Sequence, residues 1–135
     1  MFEEYVVSMP SRKLQFQPGE YYHVFNRGFC KMKIFEREDA RFFVEKAIQF
    51  SNRFDVFIES RAMMKNHFHF ILVQEQDNRG IQQTLYHLQM AFAKYFNKKY
   101  KRRGQVFEGR FKAKLIDSDQ YYWNVTNYVF QNPYK

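Results

Sequence analysis

His67 and His69 stand one residue apart in KNHFHFILV, Lys65 to Val73, inside a run that otherwise reads as a buried β-strand. Strand side chains alternate, so Phe68, Phe70 and Leu72 point one way while His67, His69, Ile71 and Val73 point the other. The two imidazoles then project together, about 7 Å apart along the strand, a span that one metal ion can bridge if the side chains converge. Paired histidines also occur as partly exposed sheet residues with no ligand, and the spacing by itself does not choose. A structural zinc site asks for four Cys or His ligands, and only His23, His87 and Cys30 remain, none in a paired spacing. An incomplete, catalytic-type centre is the better metal reading.

A second constellation lies near the C-terminus. Tyr128 and Asn132 are four residues apart in a segment of helical character, which sets a phenol and an amide on one face a turn apart. Hard divalent cations such as Mg²⁺ or Mn²⁺ accept an amide oxygen beside imidazole, so His67, His69 and Asn132 can form a three-ligand site with positions left for phosphate oxygens and water. Tyr128 would lie next to that metal. Each residue also has a plainer role, Tyr128 as a core aromatic among ten tyrosines and Asn132 as the helix-ending residue before Pro133.

The elements that must position these groups are marked by singly placed Pro and Gly. After QPGE (Gln17 to Glu20), YYHVFNRG (Tyr21 to Gly28) is β-prone and closes on Gly. In EREDARFFVEKAIQFSNRF, Phe43, Ala47 and Phe50, with Val44 and Ile48 beside them, recur at helical spacing. Asp55 to Lys65 and Asn66 to Gln74 read as two strands in an antiparallel pair. A second helix carries the stripe Ile81, Leu85, Leu88, Phe92 and Tyr95 or Phe96, and runs into NKKYKRRG. FEGRFKAKLID (Phe107 to Asp117) alternates as a fourth strand, and a last helix opens at Asp117 or Ser118 and stops at Pro133. The order β-α-β-β-α-β-α predicts an α+β ferredoxin-like sandwich: an antiparallel sheet of about four strands, two helices on one face, a C-terminal tyrosine-bearing helix, and the other face open.

Bulk properties narrow the partners. With 135 residues the chain is expected to be one domain. Lys and Arg outnumber Asp and Glu by 22 to 14, giving a formal charge of +8, and a small domain that basic usually meets a polyanion, nucleic acid first and an acidic membrane surface second. Phe 17 and Tyr 10 promise a phenylalanine-rich core with rings left for stacking on bases. The single cysteine, Cys30, excludes an internal disulfide framework and a cysteine-only zinc site. No run approaches the roughly 18 apolar residues needed to span a bilayer, so the expectation is a cytoplasmic protein with no membrane partner.

Taken together, YHVFNRG (Tyr22 to Gly28), NHFHFILV, GQVFEGRFK (Gly104 to Lys112) and YVFQNP (Tyr128 to Pro133) make the chain resemble the single-tyrosine transposases of the HUH endonuclease superfamily, above all the REP-associated tyrosine transposases related to insertion sequence 200. The resemblance runs from about Tyr21 to Asn132 and implies a transposase domain over residues 1–135, with an N-terminal segment at 1–19 and a catalytic core at 20–133. It implies cleavage and rejoining of single-stranded or hairpin DNA, dependent on Mg²⁺ or Mn²⁺, with His67, His69 and Asn132 as metal ligands and Tyr128 as the nucleophile that forms a 5′-phosphotyrosine. Phe68 and Phe70 stand where family members commonly carry aliphatic residues, and some relatives have Gln at the Asn132 position. The family contains both monomers and dimers, and a homodimer is the expectation here. Arg27, Lys98, Lys99, Lys101, Arg102, Arg103, Arg110, Lys112 and Lys114 are the candidates for DNA phosphate contacts, each weighed against a plain solvated surface. The competing reading is a non-catalytic or inactivated nucleic-acid-binding module of the same fold, although the RNA-recognition signature of aromatic and glycine residues is absent.

Overall fold

YYHVFNR, aromatic and β-branched, forms the first strand, β1 (Tyr21–Arg27). The computed structural model describes residues 14–127. Over that span β1 is followed by a single 3-10 turn (Phe29–Lys31), α1 (Arg37–Arg53), β2 (Val56–Met63), β3 (His67–Gln74), α2 (Gly80–Tyr100), β4 (Lys112–Ile116) and α3 (Asp119–Val125). The strands make one antiparallel sheet in the order β2-β3-β1-β4, which is the ferredoxin-like topology.

One face of the sheet carries the main core. Tyr22 and Val24 of β1, Phe68, Phe70 and Leu72 of β3 and Ala113 of β4 meet Phe43 and Ala47 of α1 and Ile81, Leu85, Leu88 and Phe92 of α2, all buried. The phenylalanines pack on one another. Phe43 lies 4.8 Å from Phe68 and 5.3 Å from Phe92, the latter edge-to-face, a geometry worth about 1 kcal/mol per pair beyond the area buried. The inward stripe of α1 runs through Ala40, Phe43, Ala47 and Ser51, so Ile48, expected on that side, falls one position further round the helix and is exposed.

Two features depart from the expectation. The fourth strand is shorter than its alternation implies, because Phe107 makes only an isolated bridge to Gly28 and a left-handed Gly109 (φ 73°) turns the chain before Phe111. The second face is not open along its whole length either. Tyr121 and Val125 of α3 pack there on Ala62, Ile71 and Ile116. Ser118 caps α3 by accepting a hydrogen bond from the Tyr121 N–H at 3.1 Å, and the Tyr122 hydroxyl donates to Glu59 at 2.8 Å, where β2 shifts register.

α1 and α2 are tied by a buried carboxylate. Asp39 is fully buried and accepts from the Tyr95 hydroxyl (2.6 Å), the Lys99 ammonium (2.7 Å) and the Tyr100 hydroxyl (2.5 Å). Burial pushes the carboxyl up, and the hydrogen bonds from Lys99, Tyr100 and Tyr95 more than reverse this, leaving it below its ordinary value. A depressed carboxylate stabilises the fold above its unfolded pKa and loses that contribution as pH falls through the folded value. Asp39→Asn is therefore expected to lower the unfolding free energy by about 2 kcal/mol at neutral pH. In urea titrations the gap to wild type should close as the pH drops below about 4.

Candidate metal centre and nucleic-acid interface

The register between β1 and β3 builds the candidate centre. Phe25 sits opposite His69, Arg27 opposite His67 and His23 opposite Ile71, so these side chains share the second face of the sheet. His67 and His69 do project together, with ring centroids 5.0 Å apart and planes nearly perpendicular. The His67 Nδ1 lies 2.6 Å from the Asn66 amide oxygen. That oxygen can only accept, so Nδ1 carries a proton, and in the neutral ring the lone pair of His67 is on Nε2. His69 is 1% exposed and lies against the rings of His23 and Phe25. Burial first, then the neighbouring His23 and His67, hold its pKa well below the ordinary histidine value, and burial alone lowers His23 to about 3. Both are neutral at physiological pH, the form in which imidazole binds a metal ion.

Among the described residues no group of three His, Cys, Asp or Glu side chains is arranged to hold a metal ion. Two same-face imidazoles nevertheless fit a divalent cation that takes further oxygen ligands. Tyr128 and Asn132, the expected nucleophile and third ligand, lie outside the described residues.

Hydrogen bonds at the end of β1 hold this strand pair in place. The Asn26 amide nitrogen donates to the Gln89 side chain of α2 (2.9 Å) and to the Gly109 carbonyl (3.0 Å). The Glu108 N–H donates to the Arg27 carbonyl, and the Arg27 Nε donates to the Glu108 carboxylate at 3.0 Å. Gly28 is required by close approach, since a Cβ there would lie 2.2 Å from the Met32 carbonyl oxygen. Its N–H donates to the Asn66 carbonyl, next to His67. The sequence stretches around Asn26 and Glu108 thus clamp each other beside the start of β3.

The basic candidates fall into separate groups. Arg27, Lys112 and Lys114 are on the histidine face of the sheet, Lys112 opposite Phe25 and Lys114 opposite His23. Lys98 is exposed in the last turn of α2, and Lys101 and Arg103 in the turn beyond it. Lys99 is engaged by Asp39, which raises its pKa further above the ordinary lysine value. Arg102 staples that turn, donating to the Asn97 side chain (2.7 Å) and the Gln105 carbonyl (3.0 Å).

Arg110 lines a groove of about 680 Å³ that sequence reasoning missed, together with Arg79, Gln82, Gln83, Tyr86 and Met90. Tyr86 is 60% exposed there, and the Gln82 amide oxygen is buried with no hydrogen-bond partner among the described residues. Two guanidiniums and an exposed ring are the groups that take phosphates and unstacked bases. Its only sequence signal is a run of glutamines on α2, uninformative until the fold brings Arg110 beside it.

Comparison with known proteins agrees with this architecture. A solved REP-associated tyrosine transposase bound to a REP hairpin superposes with a TM-score of 0.69 at 13% identity, covering 93% of this chain and 73% of that one. A candidate transposase from Deinococcus radiodurans R1 gives a TM-score of 0.62 at 11% identity, covering 93% of this chain and 99% of that one. No curated protein matches the chain. No helix among the described residues is long and apolar enough to cross a membrane. The family model described as "Transposase IS200 like" matches residues 17–132, nearly the whole sequence, and the chain belongs to that family of DNA transposases.

Proposed function

We propose that the protein cleaves and rejoins single-stranded DNA by a metal-dependent reaction in which Tyr128 becomes a 5′-phosphotyrosine. The observation that carries this reading is the pair His67 and His69, neighbouring imidazoles on one sheet face in a chain of the transposase family. His67, His69 and Asn132 would hold Mg²⁺ or Mn²⁺. When bound, the ion polarises the scissile phosphate and stabilises the charge that develops there.

A tyrosine with a pKa of about 10 is mostly protonated at neutral pH, so Tyr128 must lose its proton as it attacks phosphorus. The bond from phosphorus to the 3′ oxygen breaks, and that oxygen leaves as a 3′-hydroxyl. The 5′-phosphotyrosine retains the ester linkage, so a second 3′-hydroxyl attacks it, releases Tyr128 and joins a new end without ATP. Arg27, oriented by Glu108 beside His67, would neutralise the reacting phosphate. The REP hairpin held by the solved relative supports hairpin DNA with a single-stranded flank as the substrate form. Arg79 and Arg110 would take phosphates of that flank, with Tyr86 stacking on a base.

The test is denaturing electrophoresis after incubation with hairpin DNA labelled on the 3′ side of the cleavage point, with Mg²⁺ or Mn²⁺. Label is expected to migrate with the protein and to vanish in Tyr128→Phe and in EDTA. Adduct that survives Tyr128→Phe would move the nucleophile elsewhere, and binding without adduct across a hairpin library would favour a non-catalytic module. For the groove, Arg110→Ala and Arg79→Ala are each expected to weaken binding to single strands and to reduce the slope of log affinity against log salt by about 0.7, read by fluorescence anisotropy.

A further inference from the structure

His23 is buried in the sheet with its Nε2 3.0 Å from the Nδ1 of His69 and its Nδ1 3.4 Å from the Tyr121 hydroxyl. The register explains the first contact. His69 lies opposite Phe25, and His23, two residues back on β1, is its diagonal neighbour on the same face. The stacked arrangement of the two rings, 23° between planes and 5.2 Å between centroids, leaves His69 little freedom to turn.

We propose that His23 is the positioning residue of the metal centre: it accepts the Nδ1–H of His69 and so assigns the His69 lone pair to Nε2, while Tyr121 holds the His23 ring from its other side. This rests on the reading of His67 and His69 as metal ligands. The proton count decides the direction of the hydrogen bond. If His23 donated from Nε2, the second nitrogen of neutral His69 would have to carry the proton, and His69 would have no lone pair to give a metal. With His69 donating, His23 is the Nδ1–H tautomer, and that proton faces the Tyr121 oxygen. Asn66 does the same for His67, whose Nδ1 it engages at 2.6 Å. Each histidine of the pair is thus presented through Nε2 by an acceptor at its Nδ1, the second-layer arrangement that orients ligating histidines and raises their basicity.

The test measures Mn²⁺ binding to the full chain by the electron paramagnetic resonance signal of the free ion, without DNA. His69→Ala is expected to lose binding. His23→Leu, which fills the space but cannot accept, is expected to weaken binding roughly ten- to a hundredfold, and His23→Gln, whose amide oxygen can accept, to restore it. Because His23→Leu can fail to fold, a second measurement uses wild type. Long-range ¹H–¹⁵N spectra of the Mg²⁺-loaded protein should show His69 and His23 both protonated on Nδ1. Wild-type affinity in a folded His23→Leu, with His69→Ala inactive in binding, overturns the role of His23 alone. A proton on Nε2 of His69, or a proton on Nε2 of His23 in place of Nδ1 of His69, overturns it equally. If His69→Ala binds Mn²⁺ like wild type, the metal-centre reading falls and this inference falls with it.

Discussion

The antiparallel pairing of β1 with β3 is the constraint on which everything else depends. It sets Arg27 against His67 and Phe25 against His69, and so decides which residues surround the histidine pair. Because strand side chains alternate, a slip of one residue would turn Phe68 and Phe70 out of the core and drive both imidazoles into it. The main core opposes such a slip, since Phe68, Phe70 and Leu72 are already packed against α1 and α2. The hydrophobic effect on one face therefore determines chemical geometry on the other.

Around that pairing the molecule adds buried polar locks. Asn26 reaches from β1 to α2 and to Gly109, and Gly28 lets the chain pass close enough for its N–H to meet the Asn66 carbonyl. Asp39 closes the far side by joining α1 to three residues at the end of α2. α3 adds a small apolar cluster on the histidine face and brings Tyr121 to His23.

Much of this was legible in the sequence, and the exceptions have physical causes. Period-two alternation in KNHFHFILV and the 3.6-residue stripe of α2 are direct records of which side is buried, so strand, helix and the outward histidine pair could all be read. FEGRF alternates for a different reason: Phe107 and Phe111 both reach the core from a turn at Gly109, which periodicity cannot tell from a strand. Neighbourhoods that depend on register or on distant elements leave no local trace. His23 meeting His69 across β1 and β3, Lys99 engaged by Asp39, and Arg110 beside Arg79 all belong to this class. The basic tail after α2 reads as one charge cluster, yet Lys99 and Arg102 also hold the fold together.

The alternation in β3 also bears on how such a chain can change over time. Its core-facing and histidine-facing residues are interleaved one by one, so under the proposed function the strand carries two separate texts, one written for folding and one for chemistry. A descendant released from cutting DNA but kept as a binding protein would be free to drift at His67 and His69 while selection still held Phe68 and Phe70. The traces of lost activity and of retained structure would then alternate along a single strand.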